Sequence, residues 1–186
     1  SITFHQELVS YVELEQEKER YEQVVTKPKA GTVPLCALLE SRYDIPMVQH
    51  LLCGGFNRED TAWTIRELGN IPLENIFVLR GDPPLGKKRF VPETDGHSYA
   101  SELVEQIVSF NRGEHRLHGV AENTHTDFCI GVAGYPEKHY EAPNLEYDLL
   151  KLKEKVDKGA HYIITQMFYD NSKYFEFVER ARGLGI

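Results

Sequence analysis

The stretch Asn75–Pro84, NIFVLRGDPP, restricts this chain more than any other. Ile76 to Leu79 form a short apolar run that stops at Arg80-Gly81-Asp82, and the two prolines that follow forbid its continuation as a strand. A strand that is apolar at every position is covered on both faces, as in a parallel sheet. Charged groups are then delivered to the C-terminal end of a buried strand, where α/β folds build their sites. Taken alone, the same residues also describe a surface turn with an exposed Arg80–Asp82 pair. The rest of the chain repeats the pattern, which favours a site.

Apolar runs at Ser1–Phe4, Val48–Cys53, Phe128–Ala133 and Tyr162–Met167 predict further strands. Helices are predicted over Gly31–Tyr43, from an Asn57 cap to Gly69, over Tyr99–Phe110, over Leu145–Lys158 and over Asn171–Leu184. In the fourth, Leu145, Leu149, Leu152 and Val156 share one stripe. Residues 6–29 alternate in YVELEQ and YEQVVT, which suits either a hairpin or a helical extension. Leu85–Gly96 reads as a loop, and Asn111–Asp127 as irregular and rich in histidine.

Strands that alternate with helices imply parallel pairing through crossovers. No GxGxxG or Walker loop follows any strand. Polar residues collect after the strands instead: His5, His50, Arg80, Asp82, Tyr135 and Gln166. One site built from loops at one end suits a β/α barrel. A complete barrel has eight units, so about five units make an incomplete barrel within a single domain, residues 1–186. A doubly wound open sheet is the alternative.

The net charge of −8 argues against nucleic acid as a partner, and an anionic ligand would need cations placed locally. Cys36, Cys53 and Cys129 lack CxxC spacing and read as buried thiols in a reducing, cytoplasmic compartment. No apolar run approaches the roughly 18 residues of a membrane span, and no signal peptide is expected. His97, His115, His118 and His125 fit no standard metal spacing.

QHLLCGG, NIFVLRGDPP, SYASELV and GVAGYPEKHYEAPNLEYDLLKLKEKVDKGAHYIITQMFYDN stand in this order along the chain. Together they closely resemble the methylenetetrahydrofolate reductase family, flavoproteins built on an eight-fold β/α barrel. The resemblance is weakest between Gln6 and Asp44. It implies reduction of 5,10-methylenetetrahydrofolate to 5-methyltetrahydrofolate, with FAD taking hydride from NADH or NADPH. Its register implies that the chain starts at the family's second strand and stops before the seventh. The family's acidic glutamate, in a pattern like FEF-x-PP, is then expected outside these residues, since Glu102, Glu105 and Glu137 do not match its strand-end position. On that expectation this stretch alone lacks reductase activity; an inactive flavin-binding remnant is the rival reading.

The resemblance assigns Asp82 and Gln166 to catalysis and to substrate binding, on the pterin and, for Gln166, the nicotinamide. It assigns FAD contacts to Thr3, His50, Arg80, Gly81, Asp82, Tyr99 and Ala100. Further FAD contacts fall on Tyr135, His139, Ala142, Asp148 and Lys155. It also implies a homo-oligomer. Plainer readings stand beside these: Asp82 in a salt bridge with Arg80, His50 as a core histidine, Asp148 and Lys155 as loose ions on a solvated helix face.

Overall fold

A computed structural model of the chain describes residues 2–3, 8–13, 21–26, 32–83, 88–117, 120–121 and 125–186. In chain order the elements begin with strands β1 (Ile2–Thr3), β2 (Leu8–Glu13) and β3 (Tyr21–Thr26). Then come α1 (Thr32–Tyr43), β4 (Val48–Leu52), α2 (Arg58–Gly69), β5 (Asn75–Leu79) and α3 (Ala100–Asn111). The chain continues through β6 (Arg116–Leu117), β7 (Val120–Ala121), β8 (Cys129–Gly134), α4 (Leu145–Asp157), β9 (Tyr162–Thr165) and α5 (Asn171–Gly183).

The main sheet runs β1-β4-β5-β8-β9, and every neighbouring pair is parallel. Each crossover therefore moves one strand further in the same direction. A doubly wound sheet reverses direction at a switch point and carries helices on both faces. Here one face alone meets the helices. Leu51, Ile76, Val78, Ile130 and Val132 form a single buried cluster with Cys36 of α1, Ala62, Ile65 and Leu68 of α2, Leu103 and Ile107 of α3, Leu149 and Leu152 of α4, and Phe177 of α5. Sequential winding with one-sided cover is the arc of a β/α barrel, and the open-sheet alternative falls.

Side chains alternate across a strand, so the residues between the core positions face the other side. The register aligns His50, Phe77, Gly131 and Tyr162 in one row on that side, and pairs Thr3 with His50. The Tyr162 ring lies across Gly131 so closely that a Cβ there would sit 2.3 Å from it.

Helix starts follow local chemistry. Asn57 closes a capping box on α2, accepting from Glu59 and Asp60 N–H groups while Asp60 reaches back. Asn144 and Asp170 cap α4 and α5 through their side chains. Of the α4 stripe, Leu149 and Leu152 are buried and Leu145 packs against the core from a partly exposed position.

Residues 8–26 contain the hairpin of the two readings, with β2 and β3 antiparallel from Leu8↔Thr26 to Glu13↔Tyr21. Within the stretch expected to be irregular, β6 and β7 pair as a short antiparallel ribbon; too few apolar residues flank it to leave a period in the sequence. The last strand ends at Thr165, short of the expected Met167, because the Gln166 side-chain oxygen accepts the Met167 N–H and the chain turns. Cys36 and Cys53 are buried, as expected, but Cys129 faces the uncovered side of the sheet and is only partly buried. Burial pushes the Cys53 thiol up to about 12.

Among the described residues no helix is long and apolar enough to cross a membrane, and no cluster of His, Cys, Asp or Glu suits a metal. His97 is buried near Arg58, Glu102 and Gln106, its pKa lowered to about 4, chiefly by burial. His115 stacks on Phe110 with centroids 3.6 Å apart, and His125 packs against Gly113. His118 and His5 lie outside the described residues.

The Gly131–Tyr162 contact tests the β8–β9 register directly. Gly131→Ala is expected to cost about 1–3 kcal/mol, the usual range for overpacking, with part recovered by adding Tyr162→Leu. Urea unfolding that finds both single variants and the pair additive would contradict the register.

Candidate active site

The parallel ladder carries the C-terminal ends of β4, β5, β8 and β9 to one mouth, and it extends slightly past the strands. Cys53 and Gly54 N–H groups bond to Leu79 and Arg80 carbonyls, and Gln166 N–H bonds to Gly134 O. Gly81 then turns the chain at φ +93°, a conformation costly for any residue with a Cβ.

Arg80 does not pair with Asp82. Its Nη2 donates to Glu141 Oε2 at 2.5 Å, and its guanidinium lies 5.2 Å from the Phe90 ring centroid. Tyr140 O–H donates to the other Glu141 oxygen at 3.1 Å. The Glu141 backbone N–H donates to His139 Nδ1 at 3.1 Å, and the His139 backbone N–H donates to Asp148 Oδ2 at 2.9 Å. Tyr135 meets His139 edge to face, centroids 4.8 Å apart at 83°. Burial first, then Arg80, lowers the His139 pKa; burial first, then Asp148, raises that of Tyr135, and Asp82 also acts on Tyr135 through space.

These groups wall a cleft between β5, β8, α3 and α4, about 210 Å³ in volume and open on one side. Two features make it electropositive. First, α3 opens on Tyr99, which gives no side-chain cap, so a bare helix N-terminus borders the cleft. Glu102 holds this end in place, accepting the Ser98 N–H at 2.8 Å and pairing with Arg58 of α2 at 3.3 Å. Second, Lys155 projects from α4 with Nζ donating to Ala133 O at 2.5 Å. Among the described residues it makes no ion pair; Asp148 and Glu154 act on it only through space, and burial pulls its pKa down to about 8. At the outer edge, Lys151 pairs with Glu154 at 2.8 Å and lies near the Tyr99 and Tyr147 rings. Ser101 O–H donates to the other Glu154 oxygen at 2.8 Å.

Of the residues marked in the sequence, Arg80, Tyr99, Ala100, Tyr135, His139, Ala142, Asp148 and Lys155 line this one cleft. Asp148 and Lys155 are thus engaged at a cleft wall, not loose on a solvated face. Gly81 and Asp82 follow Arg80 at the mouth, with Asp82 exposed. Gln166 is exposed at the end of β9 and does not line the cleft. Thr3 pairs with His50, which shares a row with Phe77 on the side of the sheet away from the helices, and neither lines the cleft. His50 sits 5.0 Å from Phe77, its pKa lowered chiefly by burial. Glu141, Ser101, Tyr147 and Lys151 line the cleft without having been singled out. Glu141, Ser101 and Tyr147 each stand one residue from a candidate position, in EAPNLEY and SYASE, and Lys151 stands one helical turn from Asp148 and from Lys155.

Lys155 carries a measurable pH signature. Its folded pKa, about 8, lies below the ordinary 10.5. Between those values the unfolded chain holds a proton that the folded chain has released, so this group makes stability rise with pH across that window. Lys155→Met is expected to remove the rise from the ligand-free protein and to stabilise it below pH 8. Chemical denaturation from pH 7 to 10.5 reads this, and parallel profiles for both proteins would contradict it.

The chain matches the family model described as methylenetetrahydrofolate reductase over residues 13–186. It is 34% identical over 154 residues to methylenetetrahydrofolate reductase 2 of Saccharomyces cerevisiae, covering 82% of this chain and 24% of that protein. It is 33% identical to methylenetetrahydrofolate reductase (NADH) 1 of Arabidopsis thaliana, covering 83% of this chain and 26% of that one. With the 5,10-methylenetetrahydrofolate reductase of Salmonella typhimurium it shares 35% identity, covering 80% of this chain and 43% of that protein. The chain therefore spans about a quarter to two fifths of the length of these relatives. The matched residues include every cleft-lining residue, and the chain belongs to the methylenetetrahydrofolate reductase family.

Proposed function

We propose that this chain supplies the flavin cleft and part of the substrate mouth of an enzyme that reduces 5,10-methylenetetrahydrofolate to 5-methyltetrahydrofolate with FAD and NADH or NADPH. The carrying observation is Lys155: a partly buried ammonium with no ion pair among the described residues, beside a helix end with no side-chain cap. A dinucleotide's pyrophosphate meets both at once. The cleft encloses only part of a ligand of that size and leaves the remainder along its open mouth.

When bound, FAD would supply the hydride chemistry, and the protein would supply position and electrostatics. Lys155 and the α3 terminus hold the phosphates. Arg80 presents a fixed cation at the mouth, and Tyr135 with His139 forms an aromatic wall. Asp82 accepts hydrogen bonds from a pterin amine, and its charge disfavours added negative charge on a neighbouring ring. Gln166 pairs through its amide with a pterin edge or a carboxamide. The Arabidopsis relative's name specifies NADH, which favours NADH as the donor. The same reading carries a cytoplasmic, self-associating enzyme.

Two substitutions test this in the full-length protein. Asp82→Asn is expected to raise the flavin reduction potential and to slow folate turnover more than flavin reduction by the nicotinamide. Potentiometry without a shift, together with both half-reactions intact, would remove Asp82 from the site. Gln166→Leu is expected to leave FAD bound and weaken folate and nicotinamide about ten- to a hundredfold, the cost of one unsatisfied polar group. Stopped-flow titrations with unchanged binding of both substrates would refute that role.

A further inference from the structure

Glu141 sits at the centre of the cleft's hydrogen bonds. One carboxylate oxygen holds Arg80 Nη2 at 2.5 Å and the other accepts the Tyr140 hydroxyl at 3.1 Å. Its backbone N–H occupies His139 Nδ1 at 3.1 Å. Arg80 and Glu141 are 61 residues apart and meet at the rim of the cleft, their side chains 19% and 24% exposed and Glu141 exposed as a whole residue. The geometry points to the Glu141 carboxylate as a positioning group that aims the Arg80 guanidinium into the cleft and sets the charge beside His139, whose tautomer is fixed by the backbone N–H of the same residue.

An arginine on a free stem samples many rotamers, and a ligand must pay to order it. Here Glu141 takes one edge of the guanidinium and Phe90 lies against it at 5.2 Å. The remaining N–H groups are left for whatever enters the cleft that Arg80 lines. His139 accepts at Nδ1, so in its neutral form the proton sits on Nε2, which makes that nitrogen a donor. The charges around His139 are opposed: Arg80 and Lys155 lower its pKa, and Asp148 and Glu141 raise it. Asp82 cannot replace Glu141, being exposed and unpaired with Arg80 although only two residues away.

The role toward FAD rests on the flavin reading above, while the positioning of Arg80 and His139 belongs to the protein alone. The test therefore uses the full-length protein in two states. In flavin-free protein, NMR follows the His139 ring titration and the Arg80 guanidinium resonance in wild type, Glu141→Gln and Glu141→Asp. The glutamine variant is expected to lower the His139 midpoint, since a charge that raised it is gone, and to broaden the Arg80 signal. The aspartate variant, one methylene short, is expected to keep the charge effect on His139 and still release Arg80. In loaded protein, quenching of flavin fluorescence is expected to show FAD bound about tenfold or more weakly by both variants, the value of one charge-assisted hydrogen bond. If wild type binds FAD and the variants match it in affinity, His139 midpoint and Arg80 signal, the positioning role is overturned and the flavin reading stands. If wild type binds no FAD, the flavin reading fails, and the NMR comparison alone decides for or against the positioning.

Discussion

Parallel pairing from β1 to β9 is the constraint on which the site depends. It points every strand the same way, so Arg80, Tyr135 and Gln166 all leave their strands at one mouth. The one-sided helix layer does the rest. Because α3 and α4 pack on the same face, the N-terminus of α3 and the Lys155 side of α4 meet over the ends of β5 and β8. A switch of crossover direction at β8 would put α3 and α4 on opposite faces and part the α3 N-terminus from Lys155. The buried cluster of Ile76, Val78, Ile130 and Val132 with the helices is therefore what holds the cleft together, although none but Val78 lines it.

Electrostatics then sets what the cleft accepts. The chain carries a net charge of −8, yet its cleft concentrates a partly buried ammonium, a pinned guanidinium and a helix N-terminus. Local acids are committed to other work: Glu141 to Arg80, Asp148 to the His139 backbone, Glu154 to Lys151 and Ser101. Burying a cation without a partner costs free energy, seen here as the depressed pKa of Lys155. Such a cost persists where a ligand offsets it, which is why Lys155 carries more functional meaning than the exposed pairs on α4 and α5.

Much of this was legible in the sequence because strands, caps and turns are local. NIFVL and CIGVAG announce buried strands, Asn57 its helix, and the period of two in YVELEQ and YEQVVT suits the β2–β3 hairpin. Eight of the marked residues do line one cleft. What was not legible came from contacts between distant residues. The sequence offers Asp82 as the neighbour of Arg80, and the fold supplies Glu141 from 61 residues away. Thr3 and His50 sit one row inside the sheet rather than at the cleft, because register, not strand membership, fixes depth. The run YIITQM reads as one strand, yet the amide of Gln166 ends it early.

The central claim is that this cleft receives FAD with its phosphates between Lys155 and the start of α3. A crystal structure of the full-length protein grown with FAD tests it most directly. Pyrophosphate density is expected within hydrogen-bond reach of Lys155 Nζ or the first α3 amides, with the flavin ring toward Arg80 and Tyr135. FAD bound elsewhere, or its phosphates turned to solvent with Lys155 still bonded only to Ala133 O, would contradict it.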